Sequence, residues 1–446
     1  MIFYSENHVI GSAKSDALLF ETEKFRIKNS MKGSKSTLKP KRIKLMAERF
    51  FLFDPSIYMN VIFTIDGVVP AEKIREAIEK TYTQNQTTMS KAVLDEKGNL
   101  FLEEMGHTGC HTYVDGRDWQ EIRREQERIP FRINEGEFLR AFITPKENCT
   151  DVYLMAHHMM ADGSGLLILV DDIMSNLAGL PVEYKPTEVM QRKEVIHKGD
   201  LPFMSRFRLR LLNGLWAKEK RVFTWDDYYQ IHETYWKDKS TYFEFTTVED
   251  EELKALKQEC RELGITVNSY LVAKIMKNYP EDHILGVPVS LRGSSNSVSN
   301  MITSLMLEYR YDTEKSLAEN AVRAHQIIRE GLESEPMRYH IPQFVAILDP
   351  TLMDAAVAHF VLGFDNEAAR KASHVIGYTS NLGTDVGITN LGVLDVKTRY
   401  GDYRITNMIG IPPHVSATRR RMCWLLSTGS GRSSPRWCWR CLRVVW

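Results

Sequence analysis

The stretch Ala156–Gly163, reading Ala-His-His-Met-Met-Ala-Asp-Gly, constrains this chain more than any other. Upstream, Asp151–Met155 (Asp-Val-Tyr-Leu-Met) has the composition of a short strand. Downstream, Ser164 can cap a helix, its hydroxyl accepting an orphan backbone N–H, and Leu166–Met174 is apolar enough for a helix packed inside a domain. Two adjacent histidines therefore leave a strand end, and an Asp-Gly turn leads into a buried helix. An imidazole fixed there can act as a general base near neutral pH. Gly163 permits backbone angles, or a close approach, that a Cβ would obstruct. Two histidines and an aspartate could also ligate zinc. However, adjacent residues on a strand point to opposite faces, and no companion Cys/His/Glu cluster stands nearby, so no metal is expected.

A chain of 446 residues suits two domains of about 200 residues each. With 43% hydrophobic and 26% charged residues it reads as a globular protein. No apolar run approaches the roughly 20 residues of a membrane helix. Lys14, Asp16, Glu21, Glu23 and Lys24 interrupt any apolar leader, so a cytoplasmic location is expected. The zero net charge is unevenly spread: residues 1–44 hold 10 Lys/Arg against 4 Asp/Glu, and residues 418–446 hold 7 Arg and no acid. The body between them is therefore acidic, which argues against nucleic acid as a partner. Cys110, Cys149 and Cys260 are scattered, as in a reducing compartment, and Cys438-Trp-Arg-Cys441 lacks the second pair a zinc site needs.

In chain order, residues 1–44 read as a basic, Ser-rich, unstructured leader. Tyr58–Ile65 is rich in β-branched and aromatic residues and predicts a strand. Ile74, Ala77, Ile78 and Tyr82 recur at helical spacing within Pro70–Thr83. The first domain is placed at 45–200 and the second at 237–417, with Thr241–Thr247 and Ile284–Ser290 as strands and Val248–Leu263 as a helix. Between them, 201–236 is a basic crossover. Phe203–Arg221 alternates Arg206, Arg208, Arg210, Lys218, Lys220 and Arg221 with Phe207, Leu209, Leu211, Leu212, Leu215 and Trp216. It is expected to be a surface connection, a membrane-surface helix or an acidic-partner dock being the alternatives. Residues 418–446 hold 4 of the 8 tryptophans and half the cysteines, with no acid and no lysine. That composition suggests an out-of-frame tail, which would leave a sheet edge in the second domain bare.

His157, His158, Asp162 and Gly163 match His-His-x-x-x-Asp-Gly, and on them the chain resembles the acyltransferase superfamily related to chloramphenicol acetyltransferase. That group includes nonribosomal-peptide condensation domains, polyketide-associated acyltransferases and alcohol acetyltransferases. Ile129–Ile143 resembles the stretch preceding the histidine motif, with Arg140 at the matching position. Gly264–Ile275, Val287-Pro-Val-Ser-Leu-Arg292, Asn300 and Val375–Gly383 resemble later anchors, the last as a "Ser-Asn-x-Gly" strand, although Ser299 replaces the usual glycine.

The resemblance implies an α/β fold of two chloramphenicol acetyltransferase-like domains, each a mixed sheet with flanking helices, with a central tunnel between them. It implies His158 as general base, His157 as chiefly structural, and Asp162 pairing with Arg292 rather than with the base. Ser380 and Asn381 would line the channel or donate to an oxyanion. No cofactor would be tightly bound. The co-substrate would be an acyl thioester on CoA or an acyl carrier protein, and the acceptor a small-molecule alcohol or amine. The alternatives are a stand-alone condensation domain forming an amide, an inactive binding protein of the same fold, and an interaction protein using Phe203–Arg221.

Overall fold

The computed structural model describes residues 41–445 except 249, 282–283, 381–384, 395–396, 412, 414–420 and 429–436, and it describes 242–250, 389–394, 421–428 and 437–445 by backbone alone. The leader (apart from its last four residues) and Asn381 lie outside the described residues. Arg42–Leu45 is strand β1, so the body's first element opens inside the segment expected as leader.

β2 (Tyr58–Asp66) opens the first large sheet. β3 (Ser90–Leu94) and β4 (Leu100–Glu104) form with β1 a small antiparallel sheet, in the order β1-β4-β3. β5 (His111–Val114), β6 (Leu139–Pro145) and β7 (Cys149–His157) continue the large one. Helix α1 (Ala71–Thr83) begins just after Pro70, which serves as its N-cap, and buries Ile74, Ala77, Ile78 and Tyr82, the apolar positions at helical spacing. α2 (Trp119–Gln126) and α3 (Gly163–Leu177) add to the same core, and α1 packs on α3.

α4 (Arg192–Lys198), α5 (Phe203–Trp216) and α6 (Trp225–Trp236) carry the chain across. The second lobe then builds on β8 (Ser240–Val248), β9 (Ile284–Ser290) and β10 (Ile302–Glu308) with α7 (Asp250–Glu262), α8 (Val267–Met276) and α9 (Leu317–Glu333). Its core is separate and smaller, around Val272, Met276, Leu285, Leu305, Ala324 and Ile388. α10 (Glu335–Arg338), α11 (His340–Ile347), α12 (Pro350–Leu362) and α13 (Glu367–Ile376) follow, and buried residues of the last three join the first core.

Two differences from the sequence reading concern connectivity. After β11 (Val386–Leu394) and β12 (Arg399–Tyr400), β13 (Tyr403–Ile411) returns to the first sheet and pairs antiparallel with β2, so that sheet runs β12-β13-β2-β7-β6-β5. The first lobe thus borrows strands from the segment assigned to the second domain. In the tail, β14 (Arg421–Thr428) and β15 (Trp437–Val445) complete the order β10-β9-β11-β14-β15-β8. The slot between β11 and β8, expected to be bare, is filled by backbone from the Trp- and Cys-rich segment. Among the described residues, no single helix is long and apolar enough to cross a membrane.

Candidate active site

β7 ends at His157, and His158 starts the turn that leads into α3. The cap of α3 is Asp162 rather than Ser164: its carboxylate accepts from Gly165 N at 2.8 Å. Asp162 prevails because its side chain also ties the turn to the second lobe. Oδ1 meets Arg292 Nη2 at 2.9 Å, and Oδ2 accepts from Met301 N at 2.9 Å. Arg292 follows the end of β9 and also donates to the carbonyls of Ser297 and, at 2.7 Å, Ser299. Asp162 and Arg292 are both buried. A charge pair out of water needs such extra bonds to offset its desolvation.

Gly163 is the first residue of α3 and is buried, but its φ is not in the left-handed region. The close approach belongs to Gly165. A Cβ there would sit 3.0 Å from Ala161 Cβ, 3.2 Å from Ser299 O and 3.5 Å from Arg292 Nη2.

The two histidines differ in their surroundings. His157 Nδ1 accepts from Met159 N at 3.2 Å, and its ring lies among Tyr58, Phe131 and Tyr228. Burial, then the neighbouring His158 and His232, pushes its pKa down to about 3, so it is a neutral packing group. In His158 the Nδ1 lies 3.0 Å from Ala161 O, which can only accept, and 3.2 Å from Asn300 Nδ2; the shorter carbonyl contact favours the tautomer with the proton on Nδ1. Nε2 is then the atom with a free lone pair, and no hydrogen bond to it is made among the described residues. Burial lowers the His158 pKa, with the Ala161 carbonyl and the Asp162 charge opposing. The imidazole is therefore neutral, the form a general base requires.

Asn300 fixes the turn from the second lobe: its Nδ2 donates to His158 O at 2.8 Å, and its Oδ1 accepts from Ile302 N at 3.3 Å. Phe51, in the 3-10 helix Ala47–Phe51, stacks on the His158 ring with centroids 4.6 Å apart. A small cavity beside the turn is lined by Glu48, Met159, Met160, Ser299 and Asn300 among others. Glu48 is buried, Oε1 has no partner, and burial pushes its pKa up to about 7.

Arg140 is a structural latch. It pairs with Glu137 at 3.1 Å, donates to the carbonyls of Ile129 and Pro130, and stacks over Phe131 at 4.2 Å. Ser380 bonds the His374 carbonyl at the end of α13. The strand expected over Val375–Gly383 is not formed at its start: α13 runs to Ile376 and Gly377 ends it at φ 104°. Among the described residues no group of three or more His, Cys, Asp or Glu side chains converges to hold a metal.

No family model matches the chain. Over 155 residues, 29% of this chain, it is 25% identical to a linear gramicidin synthase polypeptide of Brevibacillus parabrevis, spanning about 3% of that protein's length. The condensation domain of the Monacolin K polyketide synthase MokA superposes with TM-score 0.60 at 10% identity, over 91% of this chain and 92% of that one. Polyketide synthase associated protein 5 of Mycobacterium tuberculosis does so with TM-score 0.58 at 12% identity, over 90% and 94%. The starter condensation domain of rhizomide synthetase RzmA, solved as a double mutant with C8-CoA and Leu-SNAC, gives 0.53 at 12%, over 89% and 86%. The chain has the chloramphenicol acetyltransferase-like fold. In this two-lobed fold the motif turn belongs to the first lobe, and Arg292, Ser299, Asn300 and Met301 of the second hold it in place.

Sequence reasoning does not single out Phe51, Glu48, Gly165 or Met301. The first two carry a signal: a Glu-Arg pair inside the apolar run Leu45–Phe53. Gly165 has a weaker one, as the second glycine of Gly-Ser-Gly.

Proposed function

We propose that the chain is an acyltransferase that moves an acyl group from a thioester, on CoA or an acyl carrier protein, to an alcohol or amine, with His158 as general base. The observation that carries this reading is the division of labour in the turn. Asp162 is fully engaged with Arg292, Met301 N and Gly165 N, while the Ala161 carbonyl, 3.0 Å from His158 Nδ1, favours the tautomer that leaves Nε2 able to accept a proton.

A thioester is already activated, so no covalent enzyme intermediate is required. Nε2 takes the proton of the attacking O–H or N–H as the nucleophile adds to the thioester carbonyl. The tetrahedral adduct collapses, the C–S bond breaks, and the imidazolium returns the proton to the departing thiolate. A buried imidazolium is costly, which favours that return. The fold's likeness to condensation domains favours a second reading, in which the acceptor is an amine and the product an amide.

Incubation with acetyl-CoA and longer acyl-CoAs, with mixed alcohols and amines, tests the proposal through the release of free thiol. His158→Ala should lower turnover on the order of 10²-fold or more with the fold retained by circular dichroism. His157→Ala should register mainly as lost stability. Turnover of His158→Ala within a few fold of the parent would refute the assignment.

A further inference from the structure

Helix α5 buries one face and exposes another that is equally apolar. Leu209, Leu212 and Trp216 are buried, and α5 packs on α11 and α13. On the opposite side, Phe203, Phe207 and Leu211 recur at i, i+4 and i+8, with Met204 beside them. They are 66, 44, 57 and 54% exposed, in the order Phe203, Phe207, Leu211, Met204. The Phe203 and Phe207 rings stack with centroids 6.5 Å apart. Four of the thirteen large apolar side chains exposed among the described residues thus lie on this single helix. Such a concentration on an otherwise polar surface marks a contact.

The charges around the stripe select the partner. At 3.6 residues per turn, Arg206 and Arg210 fall on one flank and Arg208 on the other. None of the three forms an ion pair among the described residues. α5 contains no acidic residue, and Phe203–Arg221 holds six Lys/Arg against the single acid Glu219. An apolar stripe between two arginine flanks, backed by a face anchored in the protein core, has the layout of a helix lying in the plane of an anionic membrane. Arg208 and Arg210, on opposite flanks, are exposed, and Arg206 is half-buried with its Nε covered; in such a layout exposed arginine stems reach headgroups while the central rings enter the acyl boundary. An acidic protein partner would draw on the same charge, but would not call for four exposed bulky side chains at the centre of the stripe.

We propose that α5 is a peripheral docking surface for a bilayer containing anionic lipid, with Phe203, Met204, Phe207 and Leu211 entering the interface and Arg206, Arg208 and Arg210 meeting headgroups. This inference is independent of the chemistry at His158. If the acceptor or donor is lipid-borne, the same contact would deliver it to the protein.

The test is flotation of the full chain with vesicles of phosphatidylcholine alone, or with about a third of phosphatidylglycerol. The expected result is binding to the anionic vesicles only, reversed by raised salt. The basic residues 1–44 could also attract such vesicles, so the deciding variant leaves every charge in place. Phe203→Ser/Phe207→Ser/Leu211→Ser should lower partitioning at least about tenfold, with an unchanged thermal midpoint because the three side chains are exposed. Arg206→Gln/Arg208→Gln/Arg210→Gln should lower it comparably. The proposal is overturned if wild type does not float with the anionic vesicles, or if the triple serine variant floats as wild type does. It is equally overturned if the stripe instead mediates a concentration-dependent dimer, or binding to an acidic carrier protein, without vesicle binding.

Discussion

Replacing Glu48 with glutamine tests whether the cavity beside the histidine turn holds an uncompensated acid. Glu48 is 2% exposed; Oε2 accepts from Met46 N at 3.2 Å and Oε1 has no partner. The adjacent Arg49 is engaged with Asp354 and offers no compensation. Burial therefore moves the carboxyl from 4.5 up to about 7, only partly opposed by the backbone groups of Glu48 and Met46. Between those two pH values the folded protein retains a proton that the unfolded chain has released. The stabilisation from this group is thus full below pH 4.5 and is lost as pH rises through about 7. At about 1.4 kcal/mol per pH unit, the loss comes to about 3 kcal/mol. Glutamine has nearly the same shape and does not titrate. Its amide shifts the baseline by a constant, so the readout is the difference between the two proteins as a function of pH. Urea denaturation of wild type and Glu48→Gln from pH 4.5 to 8 should show the variant gaining about 3 kcal/mol on wild type across that window. Asp354 is pushed by burial in the same direction, to about 7. It titrates in both proteins and cancels in the difference. A stability difference that stays constant over the window would show that Glu48 is compensated, and the reasoning would fail.

Asp162→Asn or Arg292→Met alone should each cost about 3–5 kcal/mol, because each leaves a buried charge unpaired. The double variant should cost less than the sum, and additive costs in a double-mutant cycle would show that the pair is not coupled. Gly165→Ala places a methyl against Ala161 and the Ser299 carbonyl, so it should destabilise by about 1–3 kcal/mol and lower turnover; a thermal midpoint equal to wild type would mean that the turn gives way freely.

The elements that can be read from the sequence are those whose signal is local. β2, α1 and β9 coincide within a residue with the β-branched and aromatic stretch Tyr58–Ile65, the helical spacing in Pro70–Thr83 and the strand expected over Ile284–Ser290. The return of β13 to the first sheet is hidden for the opposite reason. Tyr403–Ile411 has a strand's composition, but nothing in it names Asn60–Ile65, more than 300 residues earlier, as its partner. Strand composition specifies a half-buried surface rather than a neighbour. The tail follows the same logic: Trp, Leu and Val suit a strand covered on both faces, whether or not that stretch was selected to be one. The cap of α3 differs from the sequence reading because Ser164 and Asp162 both have an oxygen of the right reach. The choice is made by Arg292 and Met301, which arrive from the other lobe.

The site itself divides along the same line. Spacing points to a base at the strand end, and resemblance points Asp162 away from it. Neither can say which imidazole nitrogen holds the proton, because that depends on the contacts of Nδ1 with Ala161 O and Asn300 Nδ2, which only the folded turn brings together. Glu48 is the instructive omission. An acid inside Leu45–Phe53 must either face outward or be buried, and the next residue, Arg49, looks like its natural counter-ion. The fold decides otherwise. In a helix of three residues per turn, side chains at i and i+3 eclipse, so Glu48 shares its face with Phe51, the ring stacked on His158. Arg49 projects elsewhere and is taken by Asp354. Had the segment been an α-helix, with 3.6 residues per turn, Glu48 and Phe51 would be offset by about a sixth of a turn. In either geometry Glu48 and Phe51 lie on one side and Arg49 on another, so what the sequence hides is the tertiary partner, Asp354, more than 300 residues later.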